Sequence, residues 1–265
     1  MPEQGAVYAY GFIDRRLALP DFGDAGGQPL LAHRHGSLAA VVRRVSRAEF
    51  CGDAAEANLR DPAWVTPRAC AHAAVLDRIM RCGAVFPLGF ATLFSGFAGL
   101  ESVIERHQPA IEGFLGRVAG KEEWGIEIAA DLDRQQLLEE LALARWPQLR
   151  DLPTGARYLR LRRAHDELLA MARNRAVAAA QELVGALAPR GELRPLRSPD
   201  GERLGRWALL VDRAEAALLK QRVDDLAARA IRHAPQVRLS GPWPPYSFRP
   251  ALDAEAPGAA TASCG

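Results

Sequence analysis

The sequence has 265 residues, of which 49% are hydrophobic and 25% are charged, and its mean hydropathy is −0.11. These values are typical of a globular protein with enough apolar side chains for real cores, and the length favours two modest domains. The 34 basic residues are nearly balanced by 32 acidic ones, which leaves a formal charge of +2. Because acidic residues are interleaved with basic ones, the charge does not indicate nucleic-acid binding.

The sequence shows no targeting or membrane signal. No stretch approaches the roughly 18 uninterrupted apolar residues of a membrane span. The start, Met1 to Gln4, lacks the basic and apolar regions of a signal peptide, so we expect a cytoplasmic protein. The cysteines form no C-x-x-C pair and are predicted to be free thiols. They are Cys51, Cys70, Cys82 and Cys264.

The first half begins with predicted strands. Ala6 to Asp14 alternates aromatic and small residues, as a strand does, and a Gly- and Pro-rich loop follows from Pro20 to Pro29. Leu30 to His35 and Leu38 to Val45 are predicted to form a hairpin, with its turn at Gly36-Ser37.

Helices then alternate with one strand. Helix starts are predicted at Asp53, at Asp61 before Pro62 and at Thr66 before Pro67, and the resulting amphipathic helix should end at Gly83. Ala84 to Phe90 is predicted to be a buried strand interrupted by Pro87. Leu100 to Val118 keeps helical phase, and Pro109 should kink or split that helix.

The second half opens with a strand around Trp124 to Ile128 and a helix from Leu132 to Arg145. Thr154 to Leu187 is predicted to be one long helix, which at about 1.5 Å per residue approaches fifty ångströms. Because such a helix exceeds what a small domain covers, part of it should project or pack on a partner helix.

Two strands, Leu193 to Arg197 and Arg206 to Val211, are predicted to flank a turn at 198–201. A last helix is predicted from Ala214 to Ile231 and a final strand from Gln236 to Ser240. The residues of this helix expected to face inward are Leu218, Leu219, Val223, Leu226 and Ala230. Both halves therefore combine strands with helices on one side, which indicates an α+β fold.

The octet Gly241 to Phe248 contains three prolines and three aromatic residues, and it is predicted to leave the sheet as a rigid extended strap. Trp243 and Tyr246 are interpreted as plugs that seal a domain edge. The Ala- and Gly-rich tail, 251–265, is predicted to be disordered.

The sequence contains no recognisable catalytic motif. It lacks a Gly-x-Ser-x-Gly elbow, a His-Glu-x-x-His pair and a dinucleotide fingerprint, and neither of its two lysines, Lys121 and Lys220, precedes Ser or Thr. We therefore predict a non-enzymatic protein that holds no cofactor.

Several histidines are candidate metal ligands. His33 and His35 lie two apart on one strand and share a face, but two ligands without a third do not define a site. Cys70 and His72 point about 200° apart on a helix, so they cannot chelate together. Cys70 is interpreted as a buried small residue, and His72, like His107 and His165, as a core histidine bonded to a carbonyl. No metal site is predicted.

An arginine-rich run opens the long helix. Three interpretations stand: a solvated face with ion pairs to Asp166 and Glu167, a protein-binding surface, and, less favoured, a nucleic-acid contact. As candidate partner-binding residues we select Arg157, Arg160, Arg163, Trp243 and Tyr246.

Four segments resemble the gas vesicle protein F/L (GvpF/GvpL) family in the family's order. They are Val7 to Gly11, Val85 to Phe94, Gly120 to Ile128 and the strap Gly241 to Phe248. The chain departs from the family pattern after Pro87, where it has Gly-Phe-Ala-Thr.

The resemblance implies an N-terminal ferredoxin-like domain, 1–118, and a C-terminal α+β domain, 119–250, with a coiled-coil-like helix at about 154–187. It also implies a structural or assembly protein of gas vesicles that binds the hydrophobic shell subunit GvpA and accessory gas vesicle proteins. One role implied for the family is that of a minor component at the gas-facing surface. The alternative hypothesis is a ferredoxin-like regulatory module that binds a small ligand, and a third is an enzyme that uses His72 or the pair His33 and His35.

Overall fold

The structure is a computed structural model, and it describes residues 6–19, 29–50, 53–187, 189–197, 203–229 and 235–252. The predicted turn at 198–201, most of the Pro20–Pro29 loop, the last two residues of the predicted final helix, and Cys51 and Cys264 lie outside these residues. So does the predicted tail from 253 onward. Leu252, which the prediction placed in the tail, is buried.

The described residues form two units, each of which combines helices with a sheet that contains antiparallel strands. The predicted α+β fold class is confirmed. The strands are β1 (Ala6–Asp14), β2 (Leu31–His35), β3 (Leu38–Val45), β4 (Phe86–Pro87), β5 (Leu93–Phe94), β6 (Lys121–Ala129), β7 (Glu192–Leu196), β8 (Arg203–Asp212) and β9 (Gln236–Trp243). The helices are α1 (Arg47–Phe50), α2 (Asp53–Arg60), α3 (Pro62–Cys82), α4 (Phe97–Val118), α5 (Gln135–Arg145), α6 (Thr154–Arg163), α7 (His165–Leu187) and α8 (Arg213–Arg229). Short 3-10 helices occupy Pro147–Asp151 and Tyr246–Phe248.

The chain divides into one compact unit made of Met1–Glu122 with Trp243–Gly265, and a second made of Glu123–Pro242. The predicted domain boundaries, 1–118 and 119–250, differ from this division chiefly at the strap, whose aromatic end groups with the first unit. Contacts within that unit explain the grouping. Tyr246 is hydrogen-bonded to Leu88, and the Phe248 carbonyl accepts a hydrogen bond from Arg117.

The first sheet has the order β2-β3-β1-β4, and β5 also pairs with β1. The β2–β3 hairpin forms as predicted, with Gly36 at φ +59° in its turn, where a residue without Cβ is favoured. β1 is the central strand and is buried on both faces along nearly its whole length.

Helices cover both faces of this sheet, so the prediction of helices on one side is wrong for the first unit. On one face, Leu76 and Ile79 of α3 pack against Tyr10 and Val41. On the other face, the Phe114 ring of α4 lies 4.9 Å from Phe86. A central strand with apolar side chains on both sides is stable only when both of its faces are covered and shielded from water.

Helix boundaries in the first unit follow local signals. Asp61 caps α3 by accepting a hydrogen bond from the backbone N–H of Ala63, and Pro62 occupies the first turn, as predicted. The predicted start at Thr66 is wrong, because α3 continues through Pro67. α4 likewise continues through Pro109 without a split. The predicted strand at 84–90 shrinks to β4, which pairs with β1 for two residues.

The second sheet has the order β7-β8-β6-β9. Trp124 and Ile126 of β6, together with Trp207 of β8, form its core with helices α7 and α8. Of the α8 residues predicted to face inward, Leu219 and Val223 are buried and Leu226 is partly buried, whereas Leu218 is exposed. β9 runs through Pro242 to Trp243, so the strap does not leave the sheet where predicted. Because β9 is an edge strand, the missing N–H of Pro242 costs no interior ladder bond.

The predicted long helix is two helices. The chain breaks at Ala164, whose φ of −97° and ψ of 7° depart from helical values, and this residue separates α6 from α7. Leu168 and Ala172 of α7 pack with Leu138 and Leu141 of α5, so α7 does have the partner helix that was expected. Farther along, Val184 of α7 joins the sheet core.

Candidate functional site

In the first unit, a buried histidine joins three segments. His72 of α3 is 4% exposed. Its Nδ1 lies 2.8 Å from the hydroxyl of Tyr8 in β1, and its Nε2 lies 3.2 Å from the carbonyl oxygen of Leu88. The hydroxyl of Tyr246 lies 3.2 Å from that carbonyl oxygen and 3.2 Å from Nε2.

The partners determine where the protons are. The backbone N–H of Ala91 donates to the Tyr8 hydroxyl oxygen at 3.1 Å, so the hydroxyl proton of Tyr8 is available to donate to Nδ1 of His72. Nε2–H of His72 then donates to the Leu88 carbonyl, which is an acceptor only. The imidazole is therefore neutral, and it uses one nitrogen as donor and the other as acceptor.

Burial explains the electrostatics of this cluster. Loss of solvent lowers the pKa of His72 to about 4, because burial penalises the charged imidazolium. Burial also raises the pKa values of Tyr8 and Tyr10, so both hydroxyls keep their protons. The predicted core histidine bonded to a carbonyl is confirmed. His72 serves here as a structural connector, with Tyr8 and Tyr246 as its hydrogen-bond partners.

Beside His72, a cleft of about 430 Å³ opens between the first sheet and helices α1 and α3. Arg68 is fixed at its wall, 2.9 Å from the Glu49 carboxylate and 4.1 Å above the Trp64 ring. Its lining is aromatic and basic, and consists of Tyr8, Tyr10, Arg43, Arg44, Val45, Ser46, Glu49, Phe50, Pro67, Arg68, Ala71, His72 and Phe90.

In the second unit, a groove of about 470 Å³ lies between α5, α6 and the start of α7. Leucines form its floor and charged residues its rim; the lining is Asp133, Gln135, Leu138, Glu139, Tyr158, Leu161, Arg162, His165, Asp166 and Leu168. No residue of α6 is buried. On this helix Tyr158 is 53% and Leu159 58% exposed, which is unusual for two adjacent large apolar side chains.

The predicted partner-binding arginines fall on α6 but differ in their surroundings. Arg157 donates to the carbonyls of Leu149 and Arg150, at 3.0 and 3.1 Å, and thereby ties α6 to the preceding 3-10 helix. Arg160 and Arg163 are exposed. Among the described residues, neither forms the ion pair predicted with Asp166 or Glu167.

The two aromatic residues selected in the strap also separate. Trp243 is 49% exposed, so the interpretation of it as a plug is wrong. Tyr246 is partly buried against the His72 cluster, as a plug would be. Phe248, two residues on, is the side chain that is fully buried.

The two strand histidines lie beside carboxylates of α4. His33 and His35 share a face as predicted: Nε2 of His33 lies 2.8 Å from Glu101, and Nε2 of His35 lies 2.9 Å from Glu105 while its Nδ1 lies 4.0 Å from Glu101. Within the described part of the chain, no group of three or more potential ligands can hold a metal ion.

Two further burial predictions are wrong. Cys70, expected to be buried, is exposed. The side chain of His165, expected in a core, is 43% exposed and lies 3.6 Å from Asp133. Each residue lies on a helix, on a side that is not covered by the core.

Sequence reasoning missed the cleft and the exposure of α6. The cleft depends on Arg43, Arg68 and Tyr8, which are distant along the chain, and no spacing rule connects them. A signal for α6 did exist. Tyr158-Leu159 places two adjacent large apolar residues on a helix, and they cannot both lie on one narrow apolar stripe.

Comparison with known proteins now gives this architecture a context. A family model described as "Gas vesicle synthesis protein GvpL/GvpF" matches residues 6–250. Gas vesicle protein L of Streptomyces sp. (strain CB03234) is 30% identical over 231 residues, which cover 84% of each chain. Gas vesicle protein L1 of Halobacterium salinarum is 27% identical over 187 residues, which cover 63% of this chain and 64% of that protein.

Solved structures show the same fold. The crystal structure of GvpF from Anabaena sp. PCC7120 aligns with a TM-score of 0.64 at 15% identity and covers 93% of this chain and 97% of that chain. GvpF from Microcystis aeruginosa aligns with a TM-score of 0.64 at 16% identity and covers 92% of this chain and 98% of that chain.

The protein is thus an α+β protein with two sheets, a cleft beside the buried His72 and an exposed helix, α6. The chain belongs to the GvpL/GvpF family of gas vesicle proteins, which take part in gas vesicle formation. In the described residues, no helix is long and apolar enough to cross a membrane.

Proposed function

We propose that this protein acts without catalysis in gas vesicle assembly, by binding the hydrophobic shell subunit GvpA through helix α6 and the groove beside it. A shell subunit must keep one face apolar to exclude water from the gas space. Before assembly that face is exposed and prone to aggregate. A soluble protein that covers such a face needs apolar surface of its own at an accessible site.

The observation that carries the proposal is the exposure of α6. Tyr158 and Leu159 are more than half exposed, and Leu152 lies exposed just before the helix. The adjoining groove offers a floor formed by Leu138, Leu161 and Leu168. Full burial of a large apolar side chain gains roughly 1.5–3 kcal/mol, and because these two side chains are already partly buried, a partner would gain about half of that for each.

The arginines fit this arrangement at its edge. Arg160 and Arg163 are exposed on the same helix, where they would stay hydrated at the rim or meet carboxylates of a partner. Trp243, also exposed, is a second candidate contact, in the strap. We extend the proposal to accessory gas vesicle proteins as further partners of these surfaces.

A co-expression experiment tests the α6 surface. The tagged full chain is produced together with GvpA, and the shell subunit that co-purifies from the soluble fraction is quantified. For Tyr158→Ser with Leu159→Ser we expect a loss of at least about tenfold, because apolar contacts at the centre of an interface dominate its affinity.

The matched control is Leu31→Ser with Leu59→Ser, since both leucines are 43% exposed but lie in the first unit. This variant should retain GvpA at the wild-type level. Equal capture by both variants, with circular dichroism unchanged, would show that α6 is not the binding surface.

The location follows from the same proposal. A protein that holds the shell subunit in the cytoplasm and stays with it as a minor component belongs at the vesicle, on the gas-facing side. Protease added to intact vesicles should then spare this chain, whereas vesicles collapsed by pressure should expose it. Digestion at the same rate before and after collapse would place it outside the shell.

A further inference from the structure

The cleft of the first unit has the size and composition of a small-ligand site. Its volume of about 430 Å³ falls in the range of roughly 300–1,000 Å³ that is usual for such sites. Apolar rings make up much of its lining, and a few polar groups converge on it. It lies in the first unit and α6 lies in the second, so it does not depend on the proposed GvpA contact.

The charges of the cleft favour an anion. The guanidinium groups of Arg43 and Arg68 line it against a single carboxylate, that of Glu49, and His72 is neutral. Arg44 also borders the cleft, but its guanidinium lies over the Phe97 ring of α4. One net positive charge therefore faces the opening. The guanidinium of Arg68 is held by Glu49, by the Trp64 carbonyl and by the Trp64 ring, so Arg68 and Glu49 largely compensate each other and the net positive charge lies at Arg43. Glu49 would repel a second negative charge, which favours a carboxylate over a phosphate.

The walls favour a flat ring. Tyr8 and Tyr10 lie with their ring centroids 4.9 Å apart, and Phe50 and Phe90 stand edge-on to Tyr8 at 5.6 and 6.5 Å. A ligand ring entering among them would find both faces and edges to contact, which is the arrangement that aromatic pairs prefer. The hydroxyl of Tyr8 is already used within the protein, so specificity for a polar ring substituent is not expected from it.

We propose that this cleft binds a small aromatic carboxylate, with its ring among Tyr10, Phe50 and Phe90 and its carboxylate toward Arg43. Binding there gives the protein a ligand-responsive unit separate from its shell-binding surface. This is the same kind of activity as the regulatory-module hypothesis, now assigned to named residues.

Isothermal titration of the full chain tests this with 2-naphthoate as probe and 2-naphthamide as its uncharged counterpart. We expect 2-naphthoate to bind and 2-naphthamide to bind at least about tenfold more weakly, because the arginines act only on the charge. Raising the ionic strength should weaken the binding of 2-naphthoate and leave that of 2-naphthamide unchanged.

Variants locate the binding. Arg43→Gln should weaken the binding of 2-naphthoate by about tenfold, whereas Arg60→Gln, which changes an exposed arginine on α2 outside the cleft, should have no effect. Ala71→Trp fills the cleft from an exposed lining position without changing a core residue, and should abolish binding.

Three results would overturn the proposal: no heat of binding at millimolar probe, equal affinity for the acid and the amide, or undiminished binding to Ala71→Trp. None of these results bears on GvpA capture, which uses the other unit.

Discussion

Replacing His72 by glutamine should remove a pH-dependent loss of stability in the first unit. An ordinary histidine has a pKa of 6.5, and burial lowers that of His72 to about 4. Between these values the unfolded chain takes up a proton that the folded chain excludes. The free energy of unfolding of the wild type must therefore fall as the pH is lowered through this window.

The magnitude follows from the two pKa values. Each pH unit between them costs about 1.4 kcal/mol, so the stability contributed by the neutral imidazole is fully present above pH 6.5 and falls by about 3 kcal/mol on approach to pH 4. At pH 5 the loss should be about 2 kcal/mol. A glutamine does not titrate, and its amide can still accept from Tyr8 and donate to Leu88.

The assay is urea unfolding followed by hydrogen–deuterium exchange of peptides from β1 and α3, which report on the first unit. Both proteins have the same carboxylates, so the pH dependence that these groups cause cancels in the difference in unfolding free energy between wild type and His72→Gln. We expect this difference to change by about 1.4 kcal/mol per pH unit below 6.5. His165→Gln, in the second unit, controls for loss of an imidazole elsewhere.

A difference that stays constant from pH 7.5 to 4.5 would refute the reasoning. It would mean that His72 is protonated equally easily in the folded and unfolded chains, and that the hydrogen bonds assigned to its neutral form are wrong. A direct NMR titration of the His72 ring, with the variant as assignment, should give a midpoint near 4.

Other substitutions should act through single contacts, and thermal or urea unfolding measures each. Tyr246→Phe removes the hydroxyl that bonds Leu88 and should cost about 1 kcal/mol, whereas Tyr158→Phe, on exposed α6, should be nearly neutral; equal costs would contradict the assigned bond. Gly241→Ala should cost about 1 kcal/mol or more, because φ is +134° and the new Cβ would lie 3.0 Å from a backbone oxygen. Gly185→Ala, in open space within α7, should instead stabilise by about 0.5–1 kcal/mol, and a loss at both glycines to the same degree would argue against backbone strain. Gly11→Ala places Cβ 2.6 Å from the Phe86 carbonyl oxygen and should cost about 1–3 kcal/mol, so an unchanged midpoint would count against the close packing of β1 on β4.

Local patterns were sufficient where neighbours in the sequence decide the structure. β1, the β2–β3 hairpin and the start of α3 were predicted at or near their observed ends, because alternation, a turn glycine and an N-terminal cap act within a few residues. His72 was correctly assigned to a core because it lies within the apolar stripe of its own helix. The family was also evident from the motifs alone.

Burial against distant segments was not predictable in the same way. Cys70 and Leu218 were expected inside and are exposed, while Phe248 is buried and Trp243 is not. Helical phase gives the face on which a residue lies, but not whether another element covers that face.

The sequence by itself therefore determined the α+β class, most element positions and the family, since these follow from periodicity and short motifs. The tertiary structure alone decided that helices cover both faces of the first sheet, that α6 stays exposed after the break at Ala164, and that Arg43 and Arg68 share one cleft. The physical reason is that burial and charge clustering depend on packing between segments far apart in the chain, which no local pattern encodes.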